Sequence, residues 1–447
     1  MIRRWREIER WIEDASAVSR ASGFALRPLS DVLVQRNEPV RINGVLGDWQ
    51  AITIKFSGEV MPRDRTEAFK GAMFAAYPGD LVFSKIDARN GAIGLIPQSI
   101  FKAVITSEYP VFIPNEQKLR ADYLHYLLRA AHFRTELQRK ASGTSGRKRV
   151  TPAVFLSLEI PLPSLAEQDA LISTYSDALN RATQLEQEAD ALERAGWQAF
   201  ESALGVAPPP PLPDRPVFVA RFKDVERWSH DGILRGAIGN GVTEAETVTE
   251  ALGNALLEVR HGCSKGPSKK ATSLRVMKIS AVTKGRLDLS AHKFIADEPS
   301  LREQFALKSG DILMCRTNGT LAYVGMSALV DADIDGMIFP DKVIRVRPDP
   351  EKIEPEFLWR LLQVPAVRSQ IEAAARTAVG NFAIGGKDIK ALKVPLPPPA
   401  RQKSLAQALG DAMTDAKSKR TEAATLRQSA WAAFEATLFT HAKESAA

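Results

Sequence analysis

The chain has 447 residues, a formal net charge of +7, 45% hydrophobic residues and 25% charged residues. This length predicts roughly two to four domains, and no apolar run approaches the roughly 18 residues of a membrane span, so no membrane partner is expected. The two cysteines form no CxxC pair and the six histidines are scattered. This pattern argues against a disulfide framework and a metal site and favours a reducing cytoplasm. The positive charge favours a polyanion partner.

The first stretch, MIRRWREIERWIEDA, mixes charges with apolar residues. Trp5, Ile8, Trp11 and Ile12 lie on one face at helical spacing, which predicts an amphipathic helix rather than a signal peptide.

Two later stretches share one order of elements. In the first, AITIKFSGEV alternates around Ile52, Ile54 and Phe56, which predicts a strand. A Gly-Asp turn, a helix over 119–140, a loop rich in Gly, Ser and basic residues, and a short strand ending in PLP come next. In the second, RVMKISAV and GMIFPDKVIRVRP predict strands, and a helix is expected over 354–376. Each stretch therefore predicts an α+β module with a mixed or antiparallel sheet.

After each PLP corner the apolar spacing becomes that of a coiled-coil seam. We expect a long helix over 165–203 that pairs with a second one over 401–439, the first stopped by the stiff linker GVAPPPPLPDRP. Lys419 interrupts the seam and is expected either to extend its ammonium into solvent or to fix the register. The predicted seam residues are Leu171, Tyr175, Leu185, Leu192, Leu405, Leu409 and Leu426.

The second half of the chain repeats the first. A shift of 234 positions places Gln168 on Gln402 and Trp197 on Trp431, and it aligns EIPLPSLAEQ with KVPLPPPARQ. With a small indel, PGDLVFSKIDARNGAIGL also matches SGDILMCRTNGTLAYVGM. A unit this long indicates a duplicated domain pair rather than a solenoid.

Signatures of catalysis are missing from the sequence. There is no P-loop, no Gly-rich dinucleotide or methyl-donor turn, and no tetrad typical of adenine methyltransferases. Asp341 with Asp388 and Lys390 resembles a nuclease motif, but the other copy of the repeat lacks it. We therefore predict a non-catalytic chain with no metal and no cofactor of its own.

Loops rich in Arg, Lys, Asn, Ser, Thr and Gly recur at matched positions of the repeat, and these residue types contact phosphates and base edges. The loops differ in sequence between the copies, which predicts two different DNA half-sites. The candidate DNA-contacting residues are Ser84, Lys85, Arg89, Asn90, Ser142, Thr144, Ser145, Arg147, Lys148, Arg149, Lys265, Ser268, Lys269, Lys270, Arg316, Thr317, Asn318, Thr320, Arg376, Thr377 and Asn381.

The chain resembles the specificity subunit of type I restriction-modification enzymes. The resemblance rests on the tandem PLPSLAEQ and PLPPPARQ, each leading into a long helix, on GDLVFSKIDARNGAIG and GDILMCRTNGTLAYVG, and on LRVMKISAVTKGRLDLSAHKFI. It spans essentially the whole chain. One departure is Arg401, where the family usually has Glu before Gln.

The resemblance implies two target recognition domains, each reading half of a bipartite, asymmetric double-stranded DNA site, and two helices that form an antiparallel coiled coil. It also implies two methyltransferase subunits that carry S-adenosylmethionine and methylate adenine, and restriction or translocase subunits that use ATP and Mg. We expect recognition domains at 1–163 and 217–397, helices at 164–206 and 398–442, and a linker at 207–216.

Three alternatives remain open from the sequence. The same subunit could serve a methylation-only or type II-like assembly without a nuclease. The chain could be a coiled-coil scaffold that binds proteins, or a stand-alone nuclease or methyltransferase. The salt dependence of DNA binding distinguishes a DNA-binding specificity subunit from a protein-binding scaffold.

Overall fold

The structure is a computed structural model that describes residues 23–141, 149–206, 219, 233, 249–378 and 380–439. The predicted N-terminal helix, the linker and most of SGTSGRKR lie outside these ranges. Within them, no helix has the length and apolarity needed to cross a membrane. The chain divides into two compact units. Unit 1 contains Met1–Glu186 and Arg420–Ala447, and unit 2 contains Gln187–Lys419.

Unit 1 carries two main sheets, mostly antiparallel, with one parallel pair in the second. The four-stranded sheet has the order β2 (Leu33–Arg36), β10 (Val111–Pro114), β7 (Leu81–Phe83) and β8 (Ile93–Leu95). The five-stranded sheet has the order β3 (Pro39–Val40), β6 (Met73–Ala76), β9 (Ala103–Thr106), β4 (Gln50–Ile54) and β5 (Val60–Pro62). A separate pair joins β1 (Leu26–Pro28) to β11 (Glu159–Pro161).

Unit 2 repeats the four-stranded sheet and differs elsewhere. Its four-stranded sheet has the order β13 (Leu256–His261), β20 (Val343–Pro348), β16 (Ile312–Cys315) and β18 (Ser327–Leu329). Two three-stranded sheets have the orders β15 (His292–Phe294), β14 (Arg275–Met277), β19 (Met337–Ile338), and β17 (Thr317–Asn318), β22 (Asn381–Ala383), β21 (Arg376–Ala378). The pair of β12 (Thr249–Ala251) with β23 (Lys393–Pro395) matches β1 with β11.

The helices follow the repeat as well. They are α1 (Ala121–Leu127), α2 (Ala131–Lys140), α3 (Pro152–Leu156), α4 (Leu165–Ala203), α5 (Pro299–Gln304), α6 (Pro355–Leu361), α7 (Pro365–Ala374), α8 (Gly386–Lys390) and α9 (Pro399–Leu438).

The single helices expected over 119–140 and 354–376 are wrong, because each is broken into two. The residue before the second helix, Ala130 or Val364, has extended backbone angles. In unit 2 the break follows from Pro365, which has no N–H to continue the helix. In unit 1 the freed N–H of Ala131 donates instead to Glu435 Oε1 at 2.8 Å.

The two long helices pair antiparallel, as expected, and each contributes one half to each unit. In unit 1, Ala182 and Leu185 of α4 pack against Ala423 and Leu426 of α9. Nearer the start of α4, Tyr175 contacts Trp431 of α9, with 5.7 Å between the ring centroids. The residue number therefore rises along one helix as it falls along the other, which makes the pair antiparallel.

The same pairing occurs within unit 2. A Cβ added at Gly196 would lie only 3.0 Å from that of Ala412, so the helices approach closely where the side chains are small. Lys419, which interrupts the seam, forms an ion pair with Glu188 of α4, with its Nζ 2.6 Å from Glu188 Oε2. Of the predicted seam residues, Leu185 and Leu409 are buried and the other five are partly buried.

Each module packs on the long helix of the other repeat through equivalent aromatic residues. In unit 1, the ring centroid of Tyr123 of α1 lies 6.4 Å from that of Phe434 of α9. In unit 2, the ring centroid of Phe357 of α6 lies 5.6 Å from that of Phe200 of α4. The module of one repeat therefore packs against the end of the long helix of the other repeat.

A buried glutamine ties each module to the start of its own long helix. Gln168 Oε1 accepts from the N–H of Arg120 at 2.8 Å, and Gln168 Nε2 donates to the carbonyls of Lys118 and Pro163, both at 2.9 Å. Gln402 makes the same three hydrogen bonds in unit 2, with Glu354, Lys352 and Pro397. Both side chains are fully buried, so each uses its acceptor and both of its donors inside the protein.

Replacing Leu185 with Asp places a charge in a buried part of the seam. We expect Leu185→Asp to lower the free energy of unfolding of unit 1 by on the order of 2–5 kcal/mol, because packing is lost and a carboxylate is buried without a partner. The neighbouring exposed Gln184 gives the matched control, Gln184→Asp. Urea unfolding measures both, and equal stability of the two variants would contradict the seam.

Candidate nucleic-acid interface

The same two backbone hydrogen bonds recur in each unit where the inner strand β7 or β16 ends, at one edge of the four-stranded sheet. We call this arrangement the clasp. In unit 1 the N–H of Lys85 donates to the carbonyl of Glu108 at 3.0 Å, and the carbonyl of Lys85 accepts from the N–H of Val150 at 2.8 Å. In unit 2, Arg316 makes the equivalent hydrogen bonds with Lys342 at 2.9 Å and Ile384 at 3.0 Å. The chain thus places a basic residue at the same point of the frame twice.

A buried carboxylate lies beneath each Gly-Asp turn that leads into this edge. Asp80 accepts from the N–H of Tyr77 at 2.8 Å and from Arg36 at 2.8 and 3.0 Å. This pairing satisfies a charge that would otherwise be costly to bury. The hydrogen bond to Asp80 also raises the pKa of Arg36.

Asp311 is held in the same way in unit 2, by the N–H of Lys308 at 2.8 Å and by Arg347 at 2.6 and 2.8 Å. The hydrogen bond to Asp311 raises the pKa of Arg347. Arg36 lies on β2, whereas Arg347 lies on β20, which matches β10. The buried acid is kept between the repeats while the strand that supplies its partner changes.

In unit 2 the structure brings the two predicted loops together in one small sheet. β22 lies between β17 and β21, so Phe382 is opposite both Asn318 and Thr377. Thr320, Arg376, Thr377 and Asn381 are exposed. Residues from CRTNGT and RTAVGN therefore lie in one small sheet, on either side of Phe382.

Arg316 is partly buried at the base of this surface. Its NH1 donates to the carbonyl of Asp341 at 3.1 Å, while its Nε is buried without a partner. Burial, followed by the charge of Arg316, lowers the pKa of His261. Burial also raises the pKa of the Cys315 thiol to about 11, so this thiol stays protonated at neutral pH.

In unit 1 the clasp carries a different set of side chains. Lys85 and Arg89 are partly exposed and Asn90 is exposed, with its Nδ2 3.2 Å from Asp87 Oδ1. Arg149 is exposed and its NH1 lies 3.3 Å from Glu108 Oε1. Glu108 and Arg149 correspond to Lys342 and Ala383 in unit 2, so the charges at matched positions differ.

Ser84 occupies a different setting from the one expected. It is only 7% exposed, and its Oγ accepts from the N–H of Asp87 at 3.2 Å. Its position suits shaping the loop rather than contacting a ligand, and Cys315 takes the equivalent position in unit 2. The expected contacts Ser142, Thr144, Ser145, Arg147 and Lys148 lie outside the described residues.

The predicted loop CSKGPSKK is anchored on β15, since the N–H of Ser268 donates to the carbonyl of Phe294 at 2.8 Å. Ser268 Oγ accepts from the N–H of Lys270 at 3.0 Å, which tightens the turn. Lys269 and Lys270 are exposed, whereas Lys265 is paired with Glu298.

The sequence interpretation missed three exposed residues. Lys342 is exposed at the clasp, and the repeat itself would have identified it as the counterpart of Glu108. Tyr323 is 43% exposed and lies in the unit 2 loop that corresponds to the loop of Arg89 in unit 1. Phe56, expected to continue a buried strand, lies beyond the end of β4 and is 63% exposed.

Among the residues that the structure describes, no group of three or more His, Cys, Asp or Glu side chains is placed to hold a metal ion. Asp388, the middle residue of the nuclease-like motif, accepts from the N–H of Gly385 at 3.0 Å at the start of α8, and lies 3.3 Å from Arg376.

The architecture defines a class of protein, one with two related units, each a module of mixed sheet and helix packed on segments of two antiparallel helices. Residues 68–194 match the family model described as the type I restriction modification DNA specificity domain. Over these residues the chain is thus similar to the type I restriction enzyme specificity subunits.

Individual relatives agree with this. The chain is 25% identical over 297 residues to the type I restriction enzyme EcoKI specificity subunit of Escherichia coli K12, a match covering 64% of this chain and 57% of that protein. It is 22% identical over 286 residues to the StySPI specificity subunit of Salmonella potsdam, covering 63% and 56%. The matched regions thus span little more than half the length of these relatives.

Solved structures share the fold over most of the chain. The HsdS subunit from Thermoanaerobacter tengcongensis covers 94% of this chain and 97% of its own, with a TM-score of 0.51 at 15% identity. A chain from a structure on complex assembly and conformational transition of the type I R-M system covers 94% and 98%, with a TM-score of 0.59 at 15% identity.

The stability of unit 1 should depend on pH through His125 of α1. Burial, aided by the charge of Arg129, lowers the pKa of His125 from its usual 6.5 to about 4. Between these values the unfolded chain takes up a proton that the folded unit does not, so stability falls as the pH falls from 6.5 to about 4. His132, whose pKa burial also lowers, adds to the loss in the same direction.

We expect His125→Gln to reduce this loss, by on the order of 1–3 kcal/mol at the acid end. Urea unfolding of unit 1 across this pH range measures the effect. Above the usual pKa the imidazole is neutral in both states, so the slope of stability against pH there should be the same in both proteins. An unchanged acid slope in the variant would contradict the assignment.

Proposed function

We propose that the chain is the non-catalytic DNA specificity subunit of a type I restriction-modification complex and that it binds a bipartite, asymmetric double-stranded site. The observation that carries the proposal is the duplicated clasp. Lys85 and Arg316 occupy the same backbone position in the two units, next to loops with the polar and basic side chains that contact phosphates and bases.

The asymmetry of the site follows from the residues around the clasp. Proteins that read a palindrome present the same side chains twice. Here Glu108 is matched by Lys342 and Arg149 by Ala383. One frame with different charges at matched positions supports two different half-sites.

The partners and cofactors belong to the proposal through the family likeness. Two methyltransferase subunits would bring S-adenosylmethionine and methylate adenine, and restriction or translocase subunits would bring ATP and Mg. The runner-up is the same specificity role in an assembly that only methylates, or in a type II-like methyltransferase assembly.

The clasp residues should affect the two half-sites separately. We expect Lys85→Ala to weaken base preference at one half-site and Arg316→Ala to weaken it at the other, each by roughly 5- to 150-fold against mismatched bases. Each variant is the matched control for the other. Binding selections from random-sequence duplexes measure both preferences, and loss at both half-sites in either variant would refute separate readout.

The length of the paired helices should set the gap between half-sites. Inserting one heptad into α4 after Glu186 and one into α9 after Lys419 keeps the seam in phase and adds about 10 Å of helix. We expect the preferred gap to lengthen by about three base pairs. Methylated-site mapping measures the gap, with an insertion in α4 alone as the control that should disrupt pairing. A paired-insertion variant with the original gap would disprove the spacer role.

A protein-binding scaffold is the rival of another class. If the chain binds DNA through phosphates, its affinity should fall with salt at a log-log slope of about −0.9 per phosphate contact. The absence of any salt-dependent DNA binding, alone or with co-purified subunits, would favour the scaffold.

A further inference from the structure

The turn between β4 and β5 of unit 1 presents an aromatic ring to solvent. Phe56 is 63% exposed. The turn is closed by hydrogen bonds from the N–H of Gly58 to the carbonyl of Lys55 at 2.8 Å and from the N–H of Lys55 to that of Glu59 at 2.9 Å. The ring is therefore held out on a short, closed turn.

A partly buried arginine donates hydrogen bonds to the backbone of this turn and of its neighbours. Arg129 Nε donates to the carbonyl of Ser57 at 2.8 Å, its NH2 to that of Ile93 at 3.2 Å, and its NH1 to that of His125. Gly58 leaves the room for the guanidinium, since a Cβ there would overlap it. Burial lowers the pKa of Arg129 to about 10. The three hydrogen bonds of this guanidinium tie the turn to β8 and to α1.

The turn lies directly against the predicted DNA-contacting loop. Gly91, with φ of 101°, immediately follows Asn90. A Cβ at Gly91 would lie 2.3 Å from the carbonyl oxygen of Phe56, and one at Gly94 would lie 2.3 Å from that of Gly58. The two backbones are thus in contact, and the aromatic turn is part of the same edge as Arg89.

We propose that Phe56 is a specificity residue of unit 1 whose ring packs against bases of the half-site that this unit reads. The proposal deepens the proposed function and rests on it. The basic side chains at this edge, Lys85 and Arg89, can contact base edges and phosphates, and duplex DNA also offers apolar base surfaces in its grooves. Apolar side chains on such turns contact thymine methyl groups or separate stacked bases.

The test compares Phe56→Ala with Phe101→Ala, because Phe101 is 77% exposed in the same unit but belongs to the turn before β9. The full chain, purified with the subunits that remain bound to it, is used to select duplexes from a random-sequence pool. Affinities are then measured on the duplex that the wild-type protein selects.

We expect Phe56→Ala to weaken binding by about tenfold, the scale of losing one base–aromatic contact. We also expect it to relax base preference at one half-site and to leave the other intact, with Phe101→Ala matching the wild type. A fluorescent base analogue at each position of that half-site should respond to the wild type and not to Phe56→Ala.

Two failures are distinguishable. If the wild-type protein selects no bipartite motif, the proposed function fails and the inference falls with it. If the wild type selects one and Phe56→Ala selects the same motif with the same affinity, only the inference about Phe56 is overturned. Equal losses in the Phe56 and Phe101 variants would also overturn it, because the effect would then not belong to this edge.

Discussion

One buried amide in each unit joins a module of sheet and helix to its long helix, and the rest of the architecture depends on it. Gln168 and Gln402 each satisfy three backbone groups, two in the loop before α1 or α6 and one at the PLP corner. Removing such a group from water is tolerable only when its hydrogen bonds are met inside the protein. The amide therefore fixes where the module meets the first turn of its helix, and it does so identically in both units.

The second constraint is the pair of buried acids, Asp80 and Asp311, beneath the turns that lead to the clasp. Each is neutralised by an arginine, but from different strands. A frame that keeps its buried polar groups satisfied can change its exposed edge without loss of stability, because exposed residues contribute little to folding. This separation explains how one duplicated fold presents Glu108 in one unit and Lys342 in the other.

The features that could be predicted from the sequence are those that follow from apolar periodicity and from the internal repeat. The seam, the duplication and the long helices were all expected, because a run of regularly spaced apolar residues has few other uses. The break before Ala131 was not predictable, since its N–H is satisfied by Glu435, a residue distant in sequence. Ser84 and Phe56 were misplaced for a similar reason. Burial and exposure there depend on tertiary contacts, which cannot be read from the composition of the loop. The role of Arg129 is likewise visible only in the structure, where the distant carbonyls of Ser57 and Ile93 meet its guanidinium.

The most direct test of the account is a map of modified adenines across the genome of the host, with this chain present and with it deleted. If this chain directs methylation, its deletion removes methylation from one motif made of two short, different half-sites around a fixed gap. If every methylated motif persists after deletion, with the methyltransferase partners present, the chain does not direct methylation and the account is contradicted.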